Sequence, residues 1–424
     1  MKKVIMSSLI LATSLNTYAN DSSVTKKFAL KNPDFKIEPY AQLQGWGVYS
    51  MDRAAQNDAD DGLDKADQRA NFFFRRARLG FRGKPYKGLS YVASFYYDNA
   101  GHDSMAATRA STLPATSNGR AALKGPASVG IWDSFLTWKV SNSDLLHVTG
   151  GYFRPQISRE SITAAFNVNS FEKAPSQGYV RQAVVGRGFG RASGINLGGL
   201  EHNDNFGINY NVGVFNKVTT GGDADGTDLH ETQGDENSLV YVGRFATTFG
   251  DAEMSKYGLG YNINYFGRRN GLTLALNGST QERTPEYKAN RVIGADMLFN
   301  YKSLNIDAEY FHIYKKGNNE SGYARARTGH FRVGYNFFLE NGTVLEPVFM
   351  VSRYYGEEGA DYTGKDNVYD VGLNWYLDEN KYKFYVHYVG QDGDGKNLVH
   401  NDGTSNQSGF HYGDYAGIGL TLQI

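Results

Sequence analysis

The chain has 424 residues, and its 44 lysines and arginines are balanced by 44 aspartates and glutamates, so net charge points to no nucleic-acid partner. It has no cysteine, which excludes a disulfide framework and thiol chemistry and is compatible with an oxidising compartment. Thirty Tyr, twenty-five Phe and fifty Gly stand beside only nine Pro, yet the mean hydropathy is negative. A transmembrane β-barrel has this composition, because half of each strand faces water while aromatics gather at the membrane interfaces.

Lys2 and Lys3, an apolar run over 4–15 and the small-x-small site Thr17-Tyr18-Ala19 predict a signal peptide over 1–19. The mature chain then begins at Asn20, with a polar periplasmic tail over 20–34 and a barrel over 35–424. After residue 20 no apolar run approaches the roughly eighteen residues of a transmembrane helix. Alternating segments recur instead, at 36–49, 71–83, 89–98, 129–140, 144–153, 192–200, 205–216, 239–249 and 257–266. They continue at 291–301, 304–314, 328–339, 343–355, 367–377, 381–390 and 409–424.

The segment 71–83 carries Phe73, Ala77, Leu79 and Phe81 on one face and Arg76, Arg78 and Arg82 on the other. Arg75 falls on the lipid-facing parity, where a midplane arginine costs about 2–4 kcal/mol. It therefore lies near an interface, is turned inward by a bulge, or is covered by a neighbouring subunit. In 205–216, Phe206, Ile208, Tyr210, Val212 and Val214 alternate with Gly207, Asn209, Asn211 and Gly213, and 257–266 repeats the pattern. Small polar faces of this kind predict an open lumen.

Connections alternate between short turns and long loops, as an antiparallel outer-membrane barrel requires. The stretch 272–280 could pass for another strand, but an even count places it inside the fifth outer loop. The expected fold is all-β: a sixteen-stranded antiparallel transmembrane β-barrel with long extracellular loops and short periplasmic turns.

Three places resemble the phosphate-selective porin O/P family. Phe74-Arg75-Arg76-Ala77-Arg78-Leu79-Gly80-Phe81, followed by 89–98, is similar to the family's early double-arginine hairpin. Ile131-Trp132-Asp133 with Gly151-Tyr152-Phe153-Arg154 and the loop around Arg159-Glu160 resembles its next hairpin and constriction loop. Val371-Gly372-Leu373-Asn374-Trp375-Tyr376-Leu377 is similar to a strand near the family's C-terminus. The resemblance implies a homotrimeric outer-membrane porin whose third outer loop, about 154–191, folds inward. It places Arg75 and Arg76 on the family's paired arginines and Asp133 on a lumen carboxylate. Where the family has a constriction-loop lysine, this chain has Arg159-Glu160-Ser161.

A channel of this kind does its work through the charge pattern of its lumen. Parity puts Lys36, Arg76, Arg78, Arg82, Lys139, Arg244, Arg332 and Lys383 inside. It puts Glu38, Asp98, Asp133, Asp296, Asp307, Glu309, Glu346 and Asp370 there too, so the wall is balanced. The third loop carries Arg154, Arg159, Lys173, Arg181, Arg187 and Arg191 against Glu160 and Glu172. Guanidinium forks suit oxyanions, so the expected function is passive diffusion of small hydrophilic solutes with a mild preference for anions, phosphate among them. These arginines could instead pair with lumen carboxylates and pin the loop.

The competing readings are a general or cation-preferring porin and a closed barrel acting as an adhesin or surface scaffold. Catalytic residues, metal ligands and cofactors are not expected. The expected partners are outer-membrane lipid and lipopolysaccharide, small solutes or anions, and two further copies of the chain in a homotrimer. Acidic clusters at Asp58, Asp60, Asp61, Asp64 and Asp67, and at Asp223, Asp225, Asp228, Glu231, Asp235 and Glu236, suit solvated loops or divalent bridges to lipopolysaccharide. Trp132, Trp138 and Trp375 are expected in the aromatic interface belt.

Overall fold

A computed structural model describes residues 35–52, 54–56, 63–65, 67–103, 106, 129–186, 190–216, 238–283, 287–317, 322–356, 364–393 and 413–424. The expected signal peptide over 1–19, the expected tail over 20–34, Arg187, the acids Asp58, Asp60 and Asp61, and those from Asp223 to Glu236 lie outside the described residues.

Sixteen long antiparallel strands form the barrel. They are β1 (Lys36–Ser50), β2 (Arg69–Tyr86), β3 (Leu89–Tyr96), β4 (Gly130–Lys139), β5 (His147–Phe153), β6 (Ala192–His202), β7 (Phe206–Phe215) and β8 (Val240–Gly250). The second half is β9 (Gly271–Gln281), β10 (Tyr287–Tyr301), β11 (Leu304–Gly317), β12 (Ala324–Tyr335), β13 (Val344–Gly356), β14 (Lys365–Asp378), β15 (Tyr382–Asp392) and β16 (Tyr415–Gln423). Phe337–Phe338 prolongs β12 past Asn336 and pairs with the start of β13. β1 pairs with β16 from Gln42–Gln423 to Ser50–Tyr415, so the sheet closes and no edge is left to aggregate.

β15 shows why these residues make a barrel wall. Phe384, Val386 and Tyr388 are exposed on the outer face, while Lys383, Tyr385 and His387 between them are buried within. Apolar groups meet hydrocarbon, and polar groups find partners in the lumen.

The structure corrects the ninth strand. The stretch 257–266 is not in the wall; Gly271–Gln281 is, paired with β8 and β10. Both stretches alternate, so periodicity could not choose between them. The outward side chains of β9, Leu274 and Leu276, are aliphatic and exposed, whereas 257–266 carries tyrosines whose hydroxyls need partners. One strand replaces another, so the count survives. The connection 282–286 is therefore short, and the turn 251–270 is long and enters the lumen.

Two bulges correct the directions of Phe73 and Trp132 and choose among the alternatives left open for Arg75. Between β1 and β2, Gln44 faces Arg76 but Gly45 faces Phe74, leaving Arg75 as the extra residue. Arg75 and Arg76 therefore both point inward. Upstream of the bulge the parity is reversed: Phe72 and Phe74 are exposed, and Phe73, expected beside Leu79 on the lipid face, is buried against Trp46. Between β3 and β4, Ser94 faces Asp133 and Phe95 faces Ile131. Trp132 is the extra residue there and is buried inside rather than set in the interface belt, while Trp138 and Trp375 are exposed on the outer wall.

Candidate pore constriction

After β5 the chain turns into the lumen through two helices, α1 (Arg159–Ile162) and α2 (Ser176–Val185). Ser158 caps α1, its hydroxyl accepting from the Ser161 N–H at 3.1 Å while donating to Glu309 at 2.7 Å. Gly186, with φ of 82°, ends α2, and its N–H donates to the Gln182 carbonyl. Phe153, Ile157, Val180 and Val184 pack on Phe215, Val242 and Phe311 of the inner wall. Phe171 lies where a side chain on Gly417 would be, since a Cβ there would come within 2.3 Å of its ring. Gly417, on the lumen face, thus makes room for an aromatic ring.

Wall carboxylates hold the loop. Arg332 bridges Asp307 at 2.9 Å and Glu160 at 2.5 Å, with all three side chains fully buried. Asp370 accepts from the Phe171 N–H at 2.7 Å, and Glu309 accepts from Ser176 at 2.8 Å. From the loop side, Glu172 accepts from Arg75 at 2.7 Å and Arg76 at 2.5 Å. The paired arginines are therefore anchors for the loop.

Most of the remaining wall cations are neutralised locally. Arg78 pairs with Asp98 at 2.9 Å and Arg191 with Asp133 at 3.1 Å. Both guanidiniums stack on the Trp132 ring, each 3.5 Å from its centroid. Arg244 makes two bonds to Asp296, at 2.8 and 2.9 Å, and Arg82 pairs with Glu38 at the exposed end where β1 begins. Lys383 donates to the Val168 carbonyl at 2.7 Å.

Three loop cations, like Lys383, bond only to neutral oxygens among the described residues. Arg154 donates to the Ser161 carbonyl at 2.5 Å and the Thr163 carbonyl at 3.0 Å. Arg181 donates to the Ser161 carbonyl at 3.0 Å and its hydroxyl at 2.9 Å. Lys173 donates to the Ser161 carbonyl at 3.1 Å and to the Glu160 carbonyl. Three positive charges thus converge on one peptide carbonyl, and none pairs with a carboxylate among the described residues. In the sequence Lys173 counted only as loop charge, and its convergence with Arg154 and Arg181 is a product of the loop's fold.

The turn 251–270 meets this loop from the opposite side. Glu253 accepts two bonds from Arg159, at 2.6 and 3.1 Å, and Arg159 also reaches Asp296 at 3.1 Å. Thr163 and Tyr261 form a parallel backbone bridge, and Asn167 donates to Asn262 at 2.5 Å. The Tyr261 hydroxyl donates to Asn209 at 2.8 Å. The Tyr257 hydroxyl occupies the space over Gly198, where a Cβ would lie 2.0 Å from it. Sequence reasoning missed Tyr257 and Tyr261 because 257–266 was assigned to the wall, and Glu253 because the residues before that stretch were read as a short turn.

Glu160, Asp307 and His330 bring ligand atoms within 4.8 Å of one another. Arg332 bonds to both carboxylates and His330 to Asp307, so a guanidinium already occupies the position a cation would take.

The barrel has known counterparts. OmpF of Salmonella typhi, in complex with daunomycin, superposes with a TM-score of 0.53 at 11% identity, covering 92% of this chain and 98% of that one. The outer membrane channel DcaP of Acinetobacter baumannii superposes at 0.50 with 12% identity, over 92% and 98% of the two chains. An anion-selective porin from Comamonas acidovorans does so at 0.50 with 12% identity, over 92% and 99%. At these identities the likeness establishes the fold alone. No curated protein matches the chain. The sequence profile of phosphate-selective porin O and P matches residues 51–412, so the chain belongs to that family and is a passive porin of the bacterial outer membrane.

Proposed function

We propose that this porin passes small hydrophilic solutes with a mild preference for anions, selected at the loop cations Arg154, Lys173 and Arg181. The observation that carries this reading is their convergence on the Ser161 carbonyl without a carboxylate partner among the described residues. Charges at a narrow, partly desolvated point are screened less than surface charges, and guanidinium donors match oxyanion geometry. Arg75, Arg76, Arg78, Arg159, Arg191, Arg244 and Arg332 sit in ion pairs and contribute little net field.

Reversal potentials across a KCl gradient test the reading. Anion preference in the parent, lowered in a variant carrying Arg154→Gln, Lys173→Gln and Arg181→Gln, supports it; a parent preference for K⁺ overturns it. Block of the chloride current by low phosphate would narrow the solute class to phosphate, and no block would leave a general anion porin.

In this reading the protein acts as a channel, without covalent chemistry, as its porin family implies. Assembly is as a homotrimer in lipid and lipopolysaccharide, after export directed by residues 1–19. Outward Gly45 and Gly47 leave an apolar hollow of about 870 Å³ on the lipid-facing wall, edged by Phe72, Phe74, Trp375, Phe384 and Ile418. A second copy could seat there. Migration of the unheated, detergent-extracted protein as a trimer would support this assembly, and a monomer would refute it.

A further inference from the structure

The turn 251–270 does more than join β8 to β9. Beyond its contact with loop 3, it runs as a chord across the periplasmic mouth to strands far round the barrel. Asn264 and Asn336, beside β12, exchange amide hydrogen bonds at 2.8 and 2.9 Å. Phe266 packs edge-on against Tyr376 of β14, with centroids 5.0 Å apart. Arg268 makes two bonds to Glu379 in the β14–β15 turn, and both side chains are largely exposed. Arg268 holds the Glu379 carboxyl below the usual carboxylate range.

We propose that the 251–270 turn is a second constriction element, a floor that sets the periplasmic aperture of the pore and holds loop 3 from below. The inference rests on the channel reading above and deepens it. The two inserts enter from opposite ends and meet at the Thr163–Tyr261 bridge, so solutes pass both. The turn also supplies Glu253, one of the two carboxylates on Arg159. Glu253 is neutralised by Arg159, and Arg269 donates to the Asp251 and Gly271 carbonyls, Asn300 and Thr273. Asparagines and aromatic rings therefore set most of the floor, and its control is over size more than charge.

The hairpin geometry permits a clean test. Gly250 already pairs with Gly271, and the Asp251 N–H donates to the Asn270 carbonyl at 2.9 Å. Excising 252–269 joins Asp251 to Asn270 as a two-residue turn and leaves the strand ladder intact. The folded variant, identified by its heat-modifiable migration, should conduct at least about twofold better than the parent and admit larger sugars in liposome swelling, since aperture governs passage. A folded variant with the parent's conductance overturns the proposal.

If excision prevents folding, the exposed latch decides. Arg268→Glu should raise conductance or open-channel noise, and combining it with Glu379→Arg should restore the parent behaviour. Equal traces from all three proteins overturn the proposal. A parent that forms no channel refutes the porin reading itself, whereas a conducting parent with an unaffected excision variant refutes only the floor.

Discussion

Loop 3 and the 251–270 turn fill the same lumen by different chemistry. The loop is pinned by buried ion pairs, with Arg332 between Asp307 and Glu160 and Glu172 under Arg75 and Arg76. The turn is held chiefly by amide pairs, tyrosine hydroxyls and ring contacts, with Glu253 as its one buried charge partner for the loop. Ion pairs buried in this way fix a position because losing one partner strands the other. Amide and aromatic contacts are individually weaker, and their loss is graded. A rigid charged loop above and a softer polar floor below make a two-stage constriction.

The largest effect should come from Arg332→Leu. It leaves Glu160 and Asp307 buried without their guanidinium, at a cost of about 3–5 kcal/mol. The temperature of heat-modifiable unfolding should fall sharply and single-channel traces should become noisy; an unchanged unfolding temperature would mean that the loop is not pinned there. Glu253→Gln should act less strongly, because Arg159 keeps Asp296 at 3.1 Å. A weakened hydrogen bond to a charged group is worth about 1.5–3 kcal/mol. If it destabilised the barrel as much as Arg332→Leu, the contrast between a pinned loop and a softer floor would collapse.

Replacing Lys173 alone with Gln should cost less stability than Arg332→Leu, because no carboxylate is stranded and only bonds to two carbonyls are weakened, and should lower the anion preference. The reversal potential in a KCl gradient reads this directly. The smallest effect concerns acid. A surface pair such as Arg268–Glu379 contributes about 0–1 kcal/mol, and the Glu379 pKa is lowered by its bond to Arg268. Its contribution is present above the ordinary carboxylate pKa and is lost as pH falls through the lowered value. Conductance should therefore hold steady from neutral pH down through the usual carboxylate range and rise only below it. A rise at mildly acidic pH would place the latch elsewhere.

Much of this was legible beforehand, and the failures share one cause. The β7 and β15 alternations read directly onto the wall, with Asn209 and Asn211 inside and Phe384 and Val386 outside. Phe73 and Trp132 were misdirected because a bulge adds one residue without any local mark in composition, and a period of two inverts beyond it. The 257–266 stretch was misplaced because tyrosines alternating with glycine and asparagine satisfy a wall and a lumen insert equally well.

The sequence by itself determined the closed antiparallel barrel, its even strand count and the membrane it belongs to. Those follow from alternation, composition and family motifs, all of which are local along the chain. Only the tertiary structure decided which charges remain uncompensated and which alternating segment lies in the wall. Both depend on partners far apart in sequence, such as Arg332 with Glu160 and Tyr261 with Thr163. Ion pairing across the lumen turns a balanced tally of charges into a small unpaired group around Ser161, and no local pattern encodes that cancellation.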